Sequence, residues 1–303
     1  MPRVTAIHVH PVKSCHRVEV DDAVVGEHGL VGDREWQLID PGGGFLTQRA
    51  HPVLARVHAE TTATGVVLRC DGQADLAVDR PPKVDRAAHT YTGEVPVADA
   101  GDAAAAWFER LISAPCRLVA MTNGYERRFQ IPAAAFPDPS SGFAAAVERA
   151  SAPELSFADG AQVLVINAAS HRDLADRAVE PFGMERWRAN VIVDGAEPWA
   201  EDTWRRIRIG DATLDVGLPW PRCAVPQVDQ ETGDRHREPA LVLKARRWCT
   251  RAGELPELLR PVLEGNALFG VTAAATPAGV RIAVGDDVEV LETGPAVLSA
   301  VLD

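Results

Sequence analysis

Short runs of β-forming residues, separated by glycine and proline, limit most strongly what this chain can fold into. In the first hundred residues such runs occupy 4–12, 34–39, 66–70 and 76–78. The dipeptide Asp71-Gly72 separates the last two runs and is a strong signal for a hairpin turn. One helix is predicted from Asp102 to Ile112, where apolar residues recur at helical spacing. The pattern predicts a mainly β fold, a barrel or closed sheet, with a few covering helices (α+β).

The second half of the chain continues this pattern. Short apolar runs at 162–166 and 190–193 predict buried strands, and Gly-Asp pairs at 210–211 and 285–286 predict hairpins or tight corners. Between the halves, residues 131–153 contain repeated prolines. We interpret this stretch as an irregular connection and a candidate mobile lid.

Composition excludes several classes of function. The chain has 303 residues, enough for two domains, and its 46% hydrophobic and 24% charged residues are typical of soluble globular proteins. A net charge of -12 argues against nucleic acid as a partner, because binding phosphates requires clustered lysine and arginine. Any bound anion must therefore meet a local basic pocket. With no apolar signal segment and no stretch long enough to span a bilayer, we expect a cytoplasmic protein without a membrane partner.

Five scattered cysteines form no CxxC pair, which argues against a disulfide framework, a zinc ribbon or an iron–sulfur cluster. Cys223 follows Arg222 directly and lies among the prolines Pro219, Pro221 and Pro226. The guanidinium favours the thiolate, the form that binds soft metals. Two other interpretations are a small buried side chain and a nucleophile. A nucleophile needs an activating histidine, and His236 is the histidine near it in sequence.

Polar residues also occur where predicted strands begin or end. Lys13 and Ser14 follow the first strand and can offer an ammonium and a hydroxyl to one anionic group, or form an ordinary solvated turn. Arg34 at the start of an apolar run needs an anionic partner, which Asp33 or Glu35 can supply.

Two further strand ends carry candidates. Arg188 and Asn190 precede the run at 191–193. They either belong to a site built on a rigid strand or have a purely structural role, such as an ion pair of Arg188. Asp159 lies before Gly160, as a proton donor near a reaction centre or as a turn residue.

Several separated runs resemble the signatures of MOSC-domain proteins, and within that family those of the mitochondrial amidoxime-reducing component and its bacterial relatives. The main runs are Pro-Val-Lys-Ser-Cys at 11–15, Gly-Asp-Arg-Glu-Trp at 32–36, and Pro-Arg-Cys with Val-Asp-Gln-Glu-Thr-Gly at 221–233. Shorter runs follow in the family order at 157–160, 187–190, 238–240, 268–270 and 285–291. The resemblance implies an N-terminal β-barrel-like domain over residues 1–125 and a MOSC β-barrel domain over 126–303.

The resemblance also implies a molybdenum cofactor, a molybdopterin whose metal takes two dithiolene sulfurs and a protein cysteine. Cys223 would be that metal ligand, and Asp159 would be a catalytic polar group facing the open position of the metal. The residues expected to hold the phosphate and the pterin are Lys13, Ser14, Arg34, Arg188, Asn190 and Arg222.

The implied reaction is the two-electron reduction of N-hydroxylated compounds, such as amidoximes, hydroxylamines and N-hydroxylated bases, to amines or amidines. Electrons are expected from a separate ferredoxin or flavoprotein reductase, since the sequence contains no cluster-binding cysteines. Tyr125, Arg127 and Arg128 are expected to border the substrate channel, and Trp220 to narrow the pocket. The alternative is a non-catalytic carrier of the molybdenum cofactor or of persulfide sulfur on Cys223, although clustered cations favour a bound cofactor.

Overall fold

The computed structural model describes residues 1–151, 153–249 and 255–296. Strands make up most of its regular structure, which confirms the predicted mainly β class with covering helices. The strands are β1 (Arg3–Val9), β2 (Val18–Val20), β3 (Asp22–Gly26), β4 (Gly29–Leu30), β5 (Trp36–Ile39), β6 (His58–Thr61), β7 (Gly65–Arg69), β8 (Leu76–Asp79), β9 (Arg86–Thr90), β10 (Gly93–Asp99), β11 (Arg117–Ala120), β12 (Val163–Asn167), β13 (Val191–Asp194), β14 (Trp204–Ile209), β15 (Ala212–Pro221), β16 (Leu268–Thr276), β17 (Arg281–Ala283) and β18 (Val288–Thr293).

Helices cover the sheets at a few places. The α-helices are α1 (Asp102–Ile112), α2 (Gly142–Ser151), α3 (Ala168–Ala175), α4 (Glu238–Arg246) and α5 (Arg260–Leu263). Helix α1 has the predicted bounds and buries Trp107 and Phe108 on one face, as its spacing of apolar residues requires. In the part of the chain that the structure describes, no helix is both long and apolar enough to cross a membrane.

The largest sheet has eight strands in the order β18-β14-β15-β16-β12-β13-β1-β2. Most neighbours are antiparallel, and β12 and β13 are parallel. Valine and isoleucine side chains from these strands form its core, together with Ala23, Val25 and Leu30 from β3 and β4. The N-terminal residues are therefore part of the core of this sheet.

The pairing of β1 with β13 positions much of the site described below. Ile7 pairs with Val191 in antiparallel register, so the residues that follow β1 lie beside those that precede β13. Lys13 and Ser14 are thereby brought next to the segment that ends at Asn190.

Three smaller sheets complete the fold, in the orders β5-β11-β10-β9, β17-β3-β4 and β6-β7-β8. A second apolar core, distinct from that of the large sheet, joins residues between Val12 and Ala120, with Trp36, Trp107 and Phe108 as its largest side chains. The division of the chain at residue 125 stays a prediction. The strands before residue 31 pack in the first core, and part of the remaining N-terminal region packs with Phe157 in a further core.

The structure corrects two local predictions. The stretch 131–153 is not an irregular connection throughout, because it contains α2, which buries Phe143, Ala144 and Val147. Arg34 precedes β5 and has a left-handed backbone, so it is not a strand residue. Both Gly-Asp pairs lie in short connections as predicted: the pair at 210–211 joins the hairpin of β14 and β15, and the pair at 285–286 lies between β17 and β18, which pair with other strands.

Candidate functional site

One cavity of about 120 Å³, here called the inner cavity, is lined by all eight residues predicted to be catalytic, to hold the cofactor or to ligate the metal. Those residues are Lys13, Ser14, Arg34, Asp159, Arg188, Asn190, Arg222 and Cys223. Leu164 and Thr272, which are register partners on β12 and β16, line it as well. The cavity therefore lies against the large sheet, at the loops that follow β1 and β15 and precede β12 and β13.

Three cavity residues have left-handed backbones that residues other than glycine rarely adopt. The φ angles of Ser14, Arg34 and Arg188 are 66°, 54° and 55°. Such conformations cost of the order of 1–3 kcal/mol each and cluster at functional sites, where the surrounding structure enforces them. Among the described residues, the other non-glycine positions with positive φ are Ser113 and Trp199, at helix ends.

Arg34 links the two loops that flank the pairing of β1 with β13. Its Nη1 donates to Asn190 Oδ1 at 3.2 Å and to Asp33, and its Nη2 donates to the Arg188 carbonyl at 3.1 Å. Asp33 is therefore the anionic partner that the sequence led us to expect. The Asn190 amide is occupied within the protein, because its Oδ1 also accepts from the Leu164 backbone N–H and its Nδ2 donates to the His8 carbonyl. Asn190 thus positions Arg34.

Arg188 is buried with one side of its guanidinium unpaired. Its Nη1 donates to Gln230 Oε1 at 2.8 Å, while Nη2 is buried without a hydrogen-bond partner. The side-chain amides of Gln230 and Gln48 donate to each other at 3.1 and 3.2 Å. These bonds hold Gln230 Oε1 in place as the acceptor for Arg188. Burial and the charge of Arg34 lower the pKa of Arg188 to about 9. A buried guanidinium with a free N–H requires an acceptor, and an anion in the cavity supplies one.

Arg222 and Cys223 follow the end of β15. Arg222 donates to the Trp187 carbonyl and lies 5.9 Å from the Trp187 ring, and its Nε is buried without a partner. Burial lowers the pKa of Arg222 to about 10, although Cys223 and Asp159 act in the opposite direction. Cys223 is exposed, and its Sγ accepts from the Val225 N–H at 3.5 Å, whereas Cys15, Cys70, Cys116 and Cys249 are buried. Cys223 is thus the accessible sulfur of the cavity.

Asp159 forms an ion pair with Lys13, with 2.8 Å between the carboxylate and Nζ. The Lys13 side chain is 8% exposed, while that of Asp159 is 45% exposed because it faces the cavities. Burial by the surrounding walls favours a raised pKa for Asp159, but Lys13, together with Arg34 and Arg49, lowers that pKa below its usual value. Burial also lowers the pKa of Lys13, which Asp159 partly offsets.

Arg127 shapes the loop that carries Asp159. Its guanidinium donates to the carbonyls of Ser156, Ala158 and Asp159. It is 3% exposed and lines neither cavity. The expectation that Tyr125, Arg127 and Arg128 border a substrate channel is therefore wrong, since Tyr125 is buried in a core and Arg128 pairs with Glu154 at the surface.

A second, more open cavity of about 520 Å³, here called the outer cavity, adjoins the first. The two share Arg49, Asp159, Trp220, Pro221, Arg222 and Cys223. The outer cavity also has aromatic walls from Tyr91 and Phe129. The Trp220 ring lies so close to Gly160 that a Cβ there would be 2.2 Å from it, which explains the glycine after Asp159.

Sequence reasoning missed Thr47, Arg49 and Gln230 as site residues. Thr47 and Arg49 line the inner cavity, and Gln230 holds Arg188. Gln230 lies inside the Val-Asp-Gln-Glu-Thr-Gly run, so its signal was available; Thr47 and Arg49 lie in a loop without periodicity or a motif. Among the described residues, no histidine lines either cavity, and His236 lies near Glu180 instead. The arrangement therefore gives no support to a cysteine nucleophile activated by histidine.

The residues of the inner cavity fit an anionic cofactor. Five cations line it, Lys13, Arg34, Arg49, Arg188 and Arg222, against the single lining carboxylate of Asp159. This charge is concentrated in a protein whose net charge is -12. The unpaired N–H groups of Arg188 and Arg222 suit phosphate oxygens, and the exposed thiol suits a soft metal. The volume of the outer cavity, even without the inner one, lies within the usual range for ligand sites, about 300–1,000 Å³.

Comparison with known proteins identifies two domain types in this chain. The MOSC N-terminal beta barrel domain matches residues 1–115, and the MOSC domain matches residues 152–289. The chain is 27% identical over 295 residues to mitochondrial amidoxime reducing component 2 of Bos taurus, covering 94% of this chain and 82% of the relative. It is 28% identical over 255 residues to mitochondrial amidoxime-reducing component 1 of Homo sapiens, covering 81% and 72%.

A third relative is larger than this chain. The molybdenum cofactor sulfurase of Danio rerio is 26% identical over 258 residues, which cover 78% of this chain and 29% of the sulfurase. The chain thus spans less than a third of that relative's length. With both domain types matched in order, and with homologues named as amidoxime-reducing components, this chain belongs to the MOSC-domain proteins.

Proposed function

We propose that this protein is a molybdenum-cofactor-dependent reductase of N-hydroxylated compounds, supplied with electrons by a separate donor protein, a ferredoxin or a flavoprotein reductase. The observation that carries the proposal is the cluster of Lys13, Arg188 and Arg222 with the Ser14 hydroxyl around one cavity beside the exposed Cys223. The names of the homologues support the same chemistry.

The chain's own residues have distinct tasks in this proposal. Lys13, Ser14, Arg188 and Arg222 bind the phosphate and pterin, and Cys223 ligates the metal. Arg34 and Asn190 hold the loops in place through their mutual hydrogen bond. When bound, the cofactor supplies the two-electron reduction that protein side chains cannot perform.

Asp159 is the proposed proton-handling group. Its carboxylate faces both cavities and is ionised beside the Lys13 ammonium, so it can accept a proton from that ammonium or from solvent and pass it to the substrate. Reduction of an amidoxime to an amidine consumes two electrons and two protons and releases water, so a proton source near the substrate is required.

The experiment measures molybdenum and pterin per chain, together with amidoxime reduction, in protein from a host that makes the cofactor. We expect near-stoichiometric molybdenum and reduction of benzamidoxime with a suitable donor. Cys223→Ala should lose activity, while Cys70→Ala, a change at a buried cysteine away from both cavities, should keep it. Wild-type protein without molybdenum or pterin, from a host that loads a reference molybdoenzyme, would contradict the proposal.

The alternative is a carrier of persulfide sulfur or of the cofactor. The exposed Cys223 is its supporting observation. Cyanide-labile sulfur on wild-type protein but not on Cys223→Ala, in the absence of bound pterin, would favour the sulfur carrier. Bound cofactor without reduction of any N-hydroxylated compound would favour the cofactor carrier.

A further inference from the structure

Arg49 contributes to the outer cavity a cation that forms no ion pair with a carboxylate of the described residues. Its Nη2 donates to the Tyr91 hydroxyl at 2.7 Å, and its Nε donates to Thr47 Oγ1 at 3.3 Å. In the described residues, its guanidinium has no carboxylate within ion-pair distance. The carboxylate that shares the cavity, Asp159, is already paired with Lys13.

The other cation of the outer cavity is directed elsewhere. Arg222 donates to the Trp187 carbonyl and lies near the Trp187 ring, and Trp187 lines the inner cavity and not the outer one. Arg49 is therefore the cation that remains for a ligand in the outer cavity.

Aromatic rings hold Arg49 and form the walls around it. Its guanidinium carbon lies 5.9 Å from the ring centres of both Phe45 and Tyr91, which are themselves 5.0 Å apart. The rings of Tyr91, Phe129 and Trp220 line the outer cavity. Rings bordering a cavity favour flat, apolar ligands that can stack or pack edge to face.

We propose that the outer cavity selects flat aromatic N-hydroxylated substrates that carry a carboxylate, with the carboxylate on Arg49 and the N-hydroxylated end toward Cys223. The inference rests on the proposed reductase function and adds a substrate class to it. A guanidinium matches a carboxylate in charge and planar geometry. Arg49 and Cys223 both line the outer cavity, so a ligand in that cavity is bordered by both side chains.

The test compares two rings that differ in one acidic group. Binding of benzamidine and 4-carboxybenzamidine, the corresponding reduction products, is measured by calorimetry on the oxidised, cofactor-loaded protein. kcat/KM is measured for benzamidoxime and 4-carboxybenzamidoxime. We expect about tenfold tighter binding of the acidic ring, a fold-change that corresponds to about 1.4 kcal/mol. The preference should weaken as salt is added, since the site is open to solvent.

Variants locate the preference. Arg49→Gln should bring the ratio of acidic to neutral ring close to one, and Arg49→Lys should retain part of it because the charge remains. Tyr91→Phe should lower the ratio less, because it keeps the ring and removes only the hydroxyl that binds Arg49. The matched control is Arg208→Gln. Arg208 lies on β14 and forms an exposed ion pair with Glu289, so this variant should keep the wild-type ratio.

The outcomes separate this inference from the reductase proposal. Equal binding of both rings by wild type, or an unchanged ratio in Arg49→Gln, would overturn the inference even if both amidoximes are reduced. An Arg49-dependent binding preference without reduction of either amidoxime would support the anion site and count against the reductase.

Discussion

In the inner cavity, Arg34 and Arg188 are fixed by left-handed backbones and by hydrogen bonds to Asn190 and Gln230, whereas in the outer cavity Arg49 is held by one tyrosine hydroxyl and one threonine. The inner cavity measures about 120 Å³ and the outer about 520 Å³. The backbones of Arg34 and Arg188 are thus constrained in a way that the backbone of Arg49, which lines both cavities, is not.

The difference is the one expected between a permanent ligand and an exchanging one. A cofactor that stays bound is served by side chains locked in place before it arrives, because little ordering entropy is then lost on binding. A substrate that must enter and leave is served by a wider cavity. Cys223 and Asp159 line both cavities, where the two ligands would meet.

The largest expected effect is in the inner cavity. Arg188→Gln removes a buried cation and should weaken retention of the cofactor by about 10–100-fold, since hydrogen bonds to charged groups contribute about 1.5–3 kcal/mol. Pterin fluorescence after oxidation, measured per chain after dialysis, reports the loss.

Arg186→Gln is the matched control for Arg188→Gln. Arg186 is also buried and pairs with Asp229 at 2.7 Å, but it lines neither cavity. It should lower the melting temperature without a selective loss of pterin. Equal pterin content in the two variants would contradict a specific role of Arg188 in holding the cofactor in the inner cavity.

The second effect is at the junction of the cavities. Gly160→Ala places a Cβ where the Trp220 ring lies, so the indole must shift, and we expect the KM for benzamidoxime to rise about tenfold, equivalent to about 1.4 kcal/mol. Gly142→Ala is the control, because no neighbouring atom lies within 4 Å of a Cβ at the start of α2. An unchanged KM in Gly160→Ala would show that the position of Trp220 does not matter for substrate.

The third effect is on the pH profile. Lys13, with Arg34 and Arg49, keeps the pKa of Asp159 low against the effect of burial, so Lys13→Met should raise that pKa and move the acidic limb of kcat/KM to higher pH. The lowered pKa also contributes stability above the unfolded pKa of an aspartate, which is lost as the pH falls through the folded value. Lys83→Met, at an exposed position, should leave the limb in place. A limb that does not move in Lys13→Met would remove Asp159 from proton handling.

The smallest effect is expected outside both cavities. Arg128→Gln breaks an exposed ion pair with Glu154, a type of contact that contributes about 0–1 kcal/mol. Melting temperature and KM should stay close to wild type. A severalfold rise in KM would place Arg128 on the substrate path after all.

The sequence predicted the composition of the inner cavity better than its geometry. Lys13, Arg34 and Arg188 were recognisable because cations beside apolar strands need a partner. The left-handed backbones of Ser14, Arg34 and Arg188 were not, because glycine and asparagine are the usual signals for that conformation and neither stands at these positions. Arg49 reaches the site from a loop with no periodic pattern, so only tertiary packing reveals it.

The central claim is that Cys223 is a metal ligand at the meeting point of the two cavities, and X-ray absorption at the molybdenum edge tests it most directly. The comparison is between wild-type and Cys223→Ala protein loaded in the same host. We expect molybdenum in the variant to have one sulfur neighbour fewer, while the inner-cavity arginines still hold the pterin. An identical sulfur shell in the two proteins, or no molybdenum in wild type, would contradict it.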